Sequence, residues 1–160
     1  MASEFAYVQF WSLDFIPIMP HTQRENIVFE VYDFAKGILL EDGSQDAVFL
    51  NFVMERVTNY PELLREVNCV LCPGGLLRIC DYSPYPWDPE DPSIHALRTT
   101  PLSCHYSYQV REVIKMAGVD MDAFDNLHRW LAPESTIWKE ETGIGPRFEQ
   151  IHTLVRVYPM

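Results

Sequence analysis

Basic residues are scarce in this sequence. Lysine and arginine number 12 against 23 aspartates and glutamates, for a net charge of -11. Nucleic-acid binding works by neutralising phosphates with cations, so this balance excludes a phosphate-wrapping role. Long apolar runs are also lacking. None approaches the roughly 20 residues that a membrane span requires, and the first residues lack the basic-then-apolar order of a secretion signal. No nucleic acid and no membrane is therefore expected as a partner. The chain reads as cytoplasmic, with the nucleus the other compartment open to it. Cysteine is sparse at four residues, read as thiols of a reducing compartment. Cys69 and Cys72 form a C-x-x-C, but no second ligand pair or thioredoxin-like setting accompanies them, so packing is the expected role. Glycine is sparse too, with seven in the chain. Gly74-Gly75 lies in a turn before a strand, and Gly143-x-Gly145 is a lone match in the wrong context for a phosphate cradle. No internal repeat and no low-complexity segment is present.

What is there is globular. With 160 residues, 48 % of them hydrophobic, the chain suits one domain over residues 1–160. Tyr7 to Leu13 predicts a strand that stops at Asp14, and the breaks at Pro17 and Pro20 predict a loop after it. A second strand, Ile27 to Val31, leads to Asp33. Lys36 to Gln45, with its Asp42-Gly43 turn signal, reads as loop. The short apolar run Ala47 to Asn51 predicts a strand buried on both faces.

Pro61 sits where proline opens a helix, with Glu62 at the positive end of the dipole. Leu63, Leu64, Val67 and Leu71 recur at helical spacing and mark one face as core. Cys72-Pro73-Gly74-Gly75 stops the helix in a tight turn, and Leu76 to Cys80 is the next strand, ending at Asp81. An extended, proline-rich and aromatic loop follows from Tyr82 to Pro92. Helices are expected from Ser103 to Ala117 and from Met121 to Leu131, broken at Gly118. Thr136 to Glu141 and Ile151 to Tyr158 predict two closing strands.

Strand, crossover, strand is the order of a doubly wound α/β sheet. Such sheets bind ligands outside the carboxyl ends of their strands, which places Asp14, Asp33, Asn51 and Asp81 along one edge. Strand-to-loop junctions favour Asp and Asn on their own account as well.

Two stretches carry a family resemblance. Val48-Phe49-Leu50-Asn51-Phe52-Val53-Met54-Glu55-Arg56-Val57, then Pro61-Glu62-Leu63-Leu64-Arg65-Glu66-Val67, then Val70-Leu71-Cys72-Pro73-Gly74-Gly75 and Leu76 to Asp81 resemble the fourth strand, helix, turn and fifth strand of class I, Rossmann-type S-adenosylmethionine (SAM) methyltransferases. Trp11-Ser12-Leu13-Asp14-Phe15-Ile16-Pro17-Ile18-Met19-Pro20 looks like the second strand of the LaeA-like fungal branch, whose members serve secondary metabolism. Ala117 to Asp122 and Leu127 to Leu131 resemble its late helices. The resemblance implies a mostly parallel Rossmann-like sheet with an antiparallel last strand, and SAM as cofactor. It implies that Asp14 binds the ribose hydroxyls and that Asp33 lies near the adenine amino group. Phe34 would flank the adenine face, and Asn51, Phe52 and Val53 would line the methionine end.

By the same resemblance, the family's first strand and first helix, with the glycine-rich loop between them, have no counterpart here, so the chain is expected to be an N-terminally truncated member. The absent strand is central in the family's sheet, between the second and fourth. Direct pairing of those two strands, a second chain in the gap, or a truncated product are the three arrangements that fit.

Three functions compete: SAM-dependent methyl transfer to a small-molecule substrate, a cofactor-independent cyclase or isomerase on the same scaffold, and a non-catalytic pairing module. In the first, His105 and His128 are the candidate bases, with His95 in the same region. In the second, Tyr82, Tyr85, Trp87, Tyr106, Tyr108 and Trp130 would wall an apolar cleft. In the third, a homodimer or a partner chain covers the open strand edges.

Overall fold

A computed structural model describes residues 2–16, 24–82, 85–91, 93–138 and 148–154. Its elements follow in the order β1 (Phe10–Asp14), β2 (Ile27–Val31), β3 (Gln45–Asn51), α1 (Tyr60–Val70), β4 (Leu71–Cys80), α2 (Pro101–Met116) and α3 (Ala123–Leu131). Short 3-10 turns occupy Phe34–Lys36, Met54–Arg56 and Thr136–Trp138.

Helix α1 is the organising element. Asn59 caps it, its side chain accepting from the Glu62 N–H at 3.2 Å, and Pro61 lies in the first turn. Its buried face is Tyr60, Leu63, Leu64, Val67 and Val70, as the helical spacing predicts. Around that face gather Phe34, Leu50, Met54, Leu71, Ala123, Ile137 and Trp138 in one core. Two polar contacts fix the helix further. The Glu66 carboxylate accepts from the Ile38 N–H at 3.1 Å, and the Arg65 guanidinium donates to the Ile137 carbonyl at 3.2 Å.

The helix passes into β4 without a loop, because Pro73 disfavours helical backbone at Cys72. Strand β3 pairs in parallel with β4, with Gln45 opposite Leu71 and then Ala47 opposite Leu76. The Cys72-Pro73-Gly74-Gly75 segment, expected as a turn ahead of the strand, is therefore a bulge inside it. Gly74 has a φ of +82°, and a Cβ on Gly75 would meet the Cys72 carbonyl oxygen at 2.9 Å and the Asp46 carbonyl oxygen at 3.2 Å.

The expected continuous sheet is not formed among the described residues. Strands β1 and β2 make one two-stranded parallel sheet, and β3 and β4 make another. Strand β3 is not buried on both faces as expected: Leu50 is buried and Val48 half-buried toward the core, while Ala47 and Phe49 are exposed. The cause is that core residues cover one face of the β3–β4 pair only. The first strand is also shorter than the run from Tyr7. Here the Asn26 side chain donates to the carbonyls of Ala2, Phe5 and Val8, holding that backbone in turns rather than in a ladder.

Of the expected closing strands, the described part of the first, Thr136–Trp138, is a 3-10 turn that buries Ile137 and Trp138. Ile151 to Leu154 carries no regular structure. The remainder of both lies outside the described residues. Helices α2 and α3 stand close to expectation, separated by Gly118 at φ +88°. The buried Arg111 guanidinium, 2.7 Å from the Asp122 carboxylate and 3.3 Å from the Met121 carbonyl, takes up the residues expected as the first of α3.

The bulge yields a direct check. Gly75→Ala forces backbone oxygens apart and is expected to cost about 1–3 kcal/mol, the range for overpacking a tight site. A urea-melt midpoint unchanged within error would show that the bulge is slack.

Candidate functional site

Two pairs of strand ends flank the same core. At the end of β1, the half-buried Asp14 accepts from the Tyr32 N–H through its backbone carbonyl at 3.1 Å and from the Ile16 N–H through its carboxylate at 3.4 Å. A carboxylate holds about four acceptor positions, and among the described residues the Ile16 N–H takes one of them. Asp33 follows β2, is exposed, and pairs with Lys36 at 2.9 Å. Phe34 turns inward, where its ring lies 4.2 Å from that of Phe15.

The ends of β3 and β4 are more elaborate. Asn51 is exposed. Phe52 has a φ of +54°, a left-handed conformation that costs a bulky side chain energy and is held there by its N–H bond to the Cys80 carbonyl at 2.9 Å. Its ring is 66 % exposed and 6.2 Å from that of Tyr82. Val53 is half-buried against the core. Asp81 accepts from the Met54 N–H at 2.9 Å and the Val53 N–H at 3.2 Å, closing the 3-10 turn after β3. Beside it, the Tyr60 hydroxyl is buried with no hydrogen-bond partner among the described residues. Burial, and then the Asp81 charge, pushes that phenol upward. The Tyr82 hydroxyl donates to the Glu55 carboxylate, and burial together with that partner pushes its phenol up to about 12.

The two groups of strand ends meet through the core rather than through polar contact. Phe15 and Phe34 share one cluster with Leu50, Val53 and Met54.

A second constellation lies after β4. His95 stacks on Tyr85 at 4.3 Å and 16°, meets the Trp87 ring edge-on at 4.8 Å, and its Nδ1 is 2.5 Å from the Tyr108 hydroxyl. Arg111 covers Tyr85, its guanidinium carbon 3.9 Å from the ring centre. An open cleft of about 540 Å³ is lined by Trp87, Ser93, Ile94, His95, Leu97 and Arg98. Below it, Asp88 is buried, and N–H bonds from Glu90, with help from Thr99 and Asp91, hold its carboxyl below the usual range. His105 is exposed on α2 with Gln109 as its neighbour at 3.1 Å, and His128 is exposed on α3. Of the aromatic residues read as cleft walls, Tyr85, Trp87 and Tyr108 join His95, Trp130 stacks on Tyr60, and Tyr106 faces solvent. The pairing of Asp81 with the turn after β3, and of His95 with Tyr108, are features the sequence reading did not single out. Their signal was the acid ending β4 and a histidine between two aromatic segments.

No disulfide joins the four cysteines, and Cys72 points its thiol at Asp46. Among the described residues no cluster of three potential metal ligands occurs, and no helix is long and apolar enough to cross a membrane.

Residues 3–79, from ahead of β1 to near the end of β4, match the family model described as "Methyltransferase domain". The match supports a class I SAM-dependent methyltransferase, a family with an α/β Rossmann-like fold that typically uses SAM. No curated protein and no solved structure matches the chain.

The site generates a pH test. Burial lifts the Asp81 carboxyl above the ordinary value of 3.8, outweighing the N–H bonds from Met54, Tyr82 and Val53. The folded state then holds this proton more tightly than the unfolded chain does. Stability therefore falls as pH rises from that ordinary value through the raised one. Against Asp81→Asn, which retains an acceptor but no charge, the parent chain is expected to lose relative stability over that window and then level off. Asp81→Ala, which strands the part-buried Val53 and Met54 N–H groups, should cost about 1–3 kcal/mol. Parallel denaturation curves for parent and Asn variant at every pH would refute the assignment.

Proposed function

We propose that this chain is a methyltransferase-family protein of fungal secondary metabolism that binds SAM and transfers its methyl group to a small molecule. One observation carries the reading: the methyltransferase match runs over β1 to β4, whose carboxyl ends present Asp14, Asp33, Asn51 and Asp81 around one core. The likeness of the late helical segments to the LaeA-like branch supports the metabolic setting.

The residues present suit the cofactor. Asp14 would take the two ribose hydroxyls. Asp33 would accept from the adenine amino group. Phe34 would support the adenine side from within the core, since its ring is already packed on Phe15. Asn51, Phe52 and Val53 would line the methionine end, where the exposed Phe52 ring offers an apolar wall. When bound, the group supplies an electrophilic methyl on a sulfonium centre. The chain's part is alignment of acceptor, methyl and sulfur, which supplies much of the rate in such a displacement. His105 and His128 remain candidate bases. His95 joins them, since it borders a cleft and shares a proton position with Tyr108.

A second reading, the pairing module, draws on the open edges. In a parallel ladder alternate residues bond to the partner strand. Phe10 N–H bonds to the Asn26 carbonyl and the Tyr32 N–H to Asp14, so the backbone groups of Trp11 and Leu13 point to the other edge. Such an edge is a template for another strand.

Isothermal titration with SAM separates the readings. Binding is expected, and Asp14→Ala should weaken it by at least about tenfold, the loss of one charge-assisted contact to a diol. No heat and no thermal shift with SAM would remove the methyl-transfer reading.

A further inference from the structure

Helix α2 has two distinct faces. The inner one carries Cys104, Ser107, Tyr108, Arg111 and Ile114, all buried or half-buried. On the outer one, Leu102, Tyr106, Val113 and Met116 are 85, 68, 67 and 87 % exposed. With Gln109 between them, these residues recur at steps of four, three, four and three. That is the spacing of a coiled-coil seam, and the stripe is about 21 Å long at 1.5 Å per residue. A lone exposed leucine needs no explanation, but a continuous stripe of this kind does.

We propose that the outer face of α2 pairs with α2 of a second copy of this chain, antiparallel, about a two-fold axis through Gln109. Two features select this occupant. The stripe is nearly self-complementary about its centre: antiparallel pairing sets Leu102 opposite Met116 of the second copy and Gln109 opposite Gln109, and brings Tyr106 within one residue of the level of Val113. A closed two-fold contact requires this property. The flanks complement one another as well. His105 and Glu112, both exposed, lie on the same side of the seam, and the two-fold brings each His105 to a Glu112 twice over. The other flank, Ser103, Val110 and Ala117, holds no charge to oppose the approach. Two stripes of this length bury on the order of 1,000 Å², at the low end for specific contacts, so a weak, concentration-dependent dimer is expected. The inference uses neither strand edge, and it shares with the methyl-transfer reading one residue, the candidate base His105.

Sedimentation velocity from about 1 to 200 μM, spanning the affinity such an interface implies, is expected to show growth toward twice the 18.7 kDa chain mass. Val113→Lys should weaken association at least tenfold with an unchanged circular dichroism spectrum, because the side chain is exposed in the single chain. His105→Glu should weaken it, and His105→Glu with Glu112→Lys should restore it. Under mild oxidation with diamide, Gln109→Cys should form a cross-linked dimer well above the level of the unsubstituted chain, and Leu102→Cys should not. A monomer at every concentration overturns the proposal. So does a dimer indifferent to Val113→Lys, which would assign the contact to the strand edges. Equal cross-linking of both cysteine variants overturns the antiparallel arrangement.

Discussion

Burial of one face of α1 is the constraint on which the other elements depend. A two-stranded sheet is marginal alone in water, and the described residues form two of them. Each acquires its stability by contact with the core built on Leu63, Leu64 and Val67, which are nearly or fully removed from solvent. Strand β4 is continuous with the helix, so its place is set by the helix end. Strand β3 is set in turn by pairing with β4, with the Pro73-Gly74-Gly75 bulge absorbing the mismatch between helix exit and ladder. The β1–β2 pair connects through Leu13, Phe15 and Phe34 and through the Ile38–Glu66 hydrogen bond. A single helical face thus holds both pairs of strand ends to one core.

That arrangement bears on where chemistry can happen. A polar residue at a strand end has its backbone fixed by the ladder and its side chain outside it. Asp14 and Asp81 follow this logic differently. Among the described residues the Asp14 carboxylate takes one N–H, that of Ile16. Asp81 commits its own to the Val53 and Met54 N–H groups, and so fixes the turn that holds Phe52 in its left-handed conformation. Strain of that kind persists only where surroundings over-determine it. Here the Phe52–Cys80 hydrogen bond on one side and the Asp81 clasp on the other do so.

The helices and strands with strong local signals were legible in the sequence. Asn59 and Pro61 announce α1, its face follows from spacing, and Ile27 to Val31 is found as a strand at those bounds. The four polar strand ends were legible because each interrupts an apolar run. What escaped was decided by distant partners. Nothing near Tyr7 reveals that Asn26 will claim three carbonyls there. Nothing in Ala47 to Asn51 tells whether one face or two will be covered. Thr136 to Trp138 has strand-like composition, yet Ile137 and Trp138 reach the core better from a 3-10 turn. Phe34 was expected to flank the adenine face, and the turn after β2 packs its ring on Phe15 within the core.

The acidic, sparsely basic character of the chain acquires meaning beside these features. A net charge of -11 spread over the surface opposes association of two copies in general. Self-association then requires a surface where that repulsion is locally absent. The outer face of α2 is such a surface, since its seam is uncharged and one acidic residue, Glu112, flanks it. The exposed edge of β1 differs, because Glu30 on the paired strand and Asp14 at its end keep acidic groups close to any incoming chain. Charge therefore discriminates between these surfaces, and it favours the helix over the strand edge.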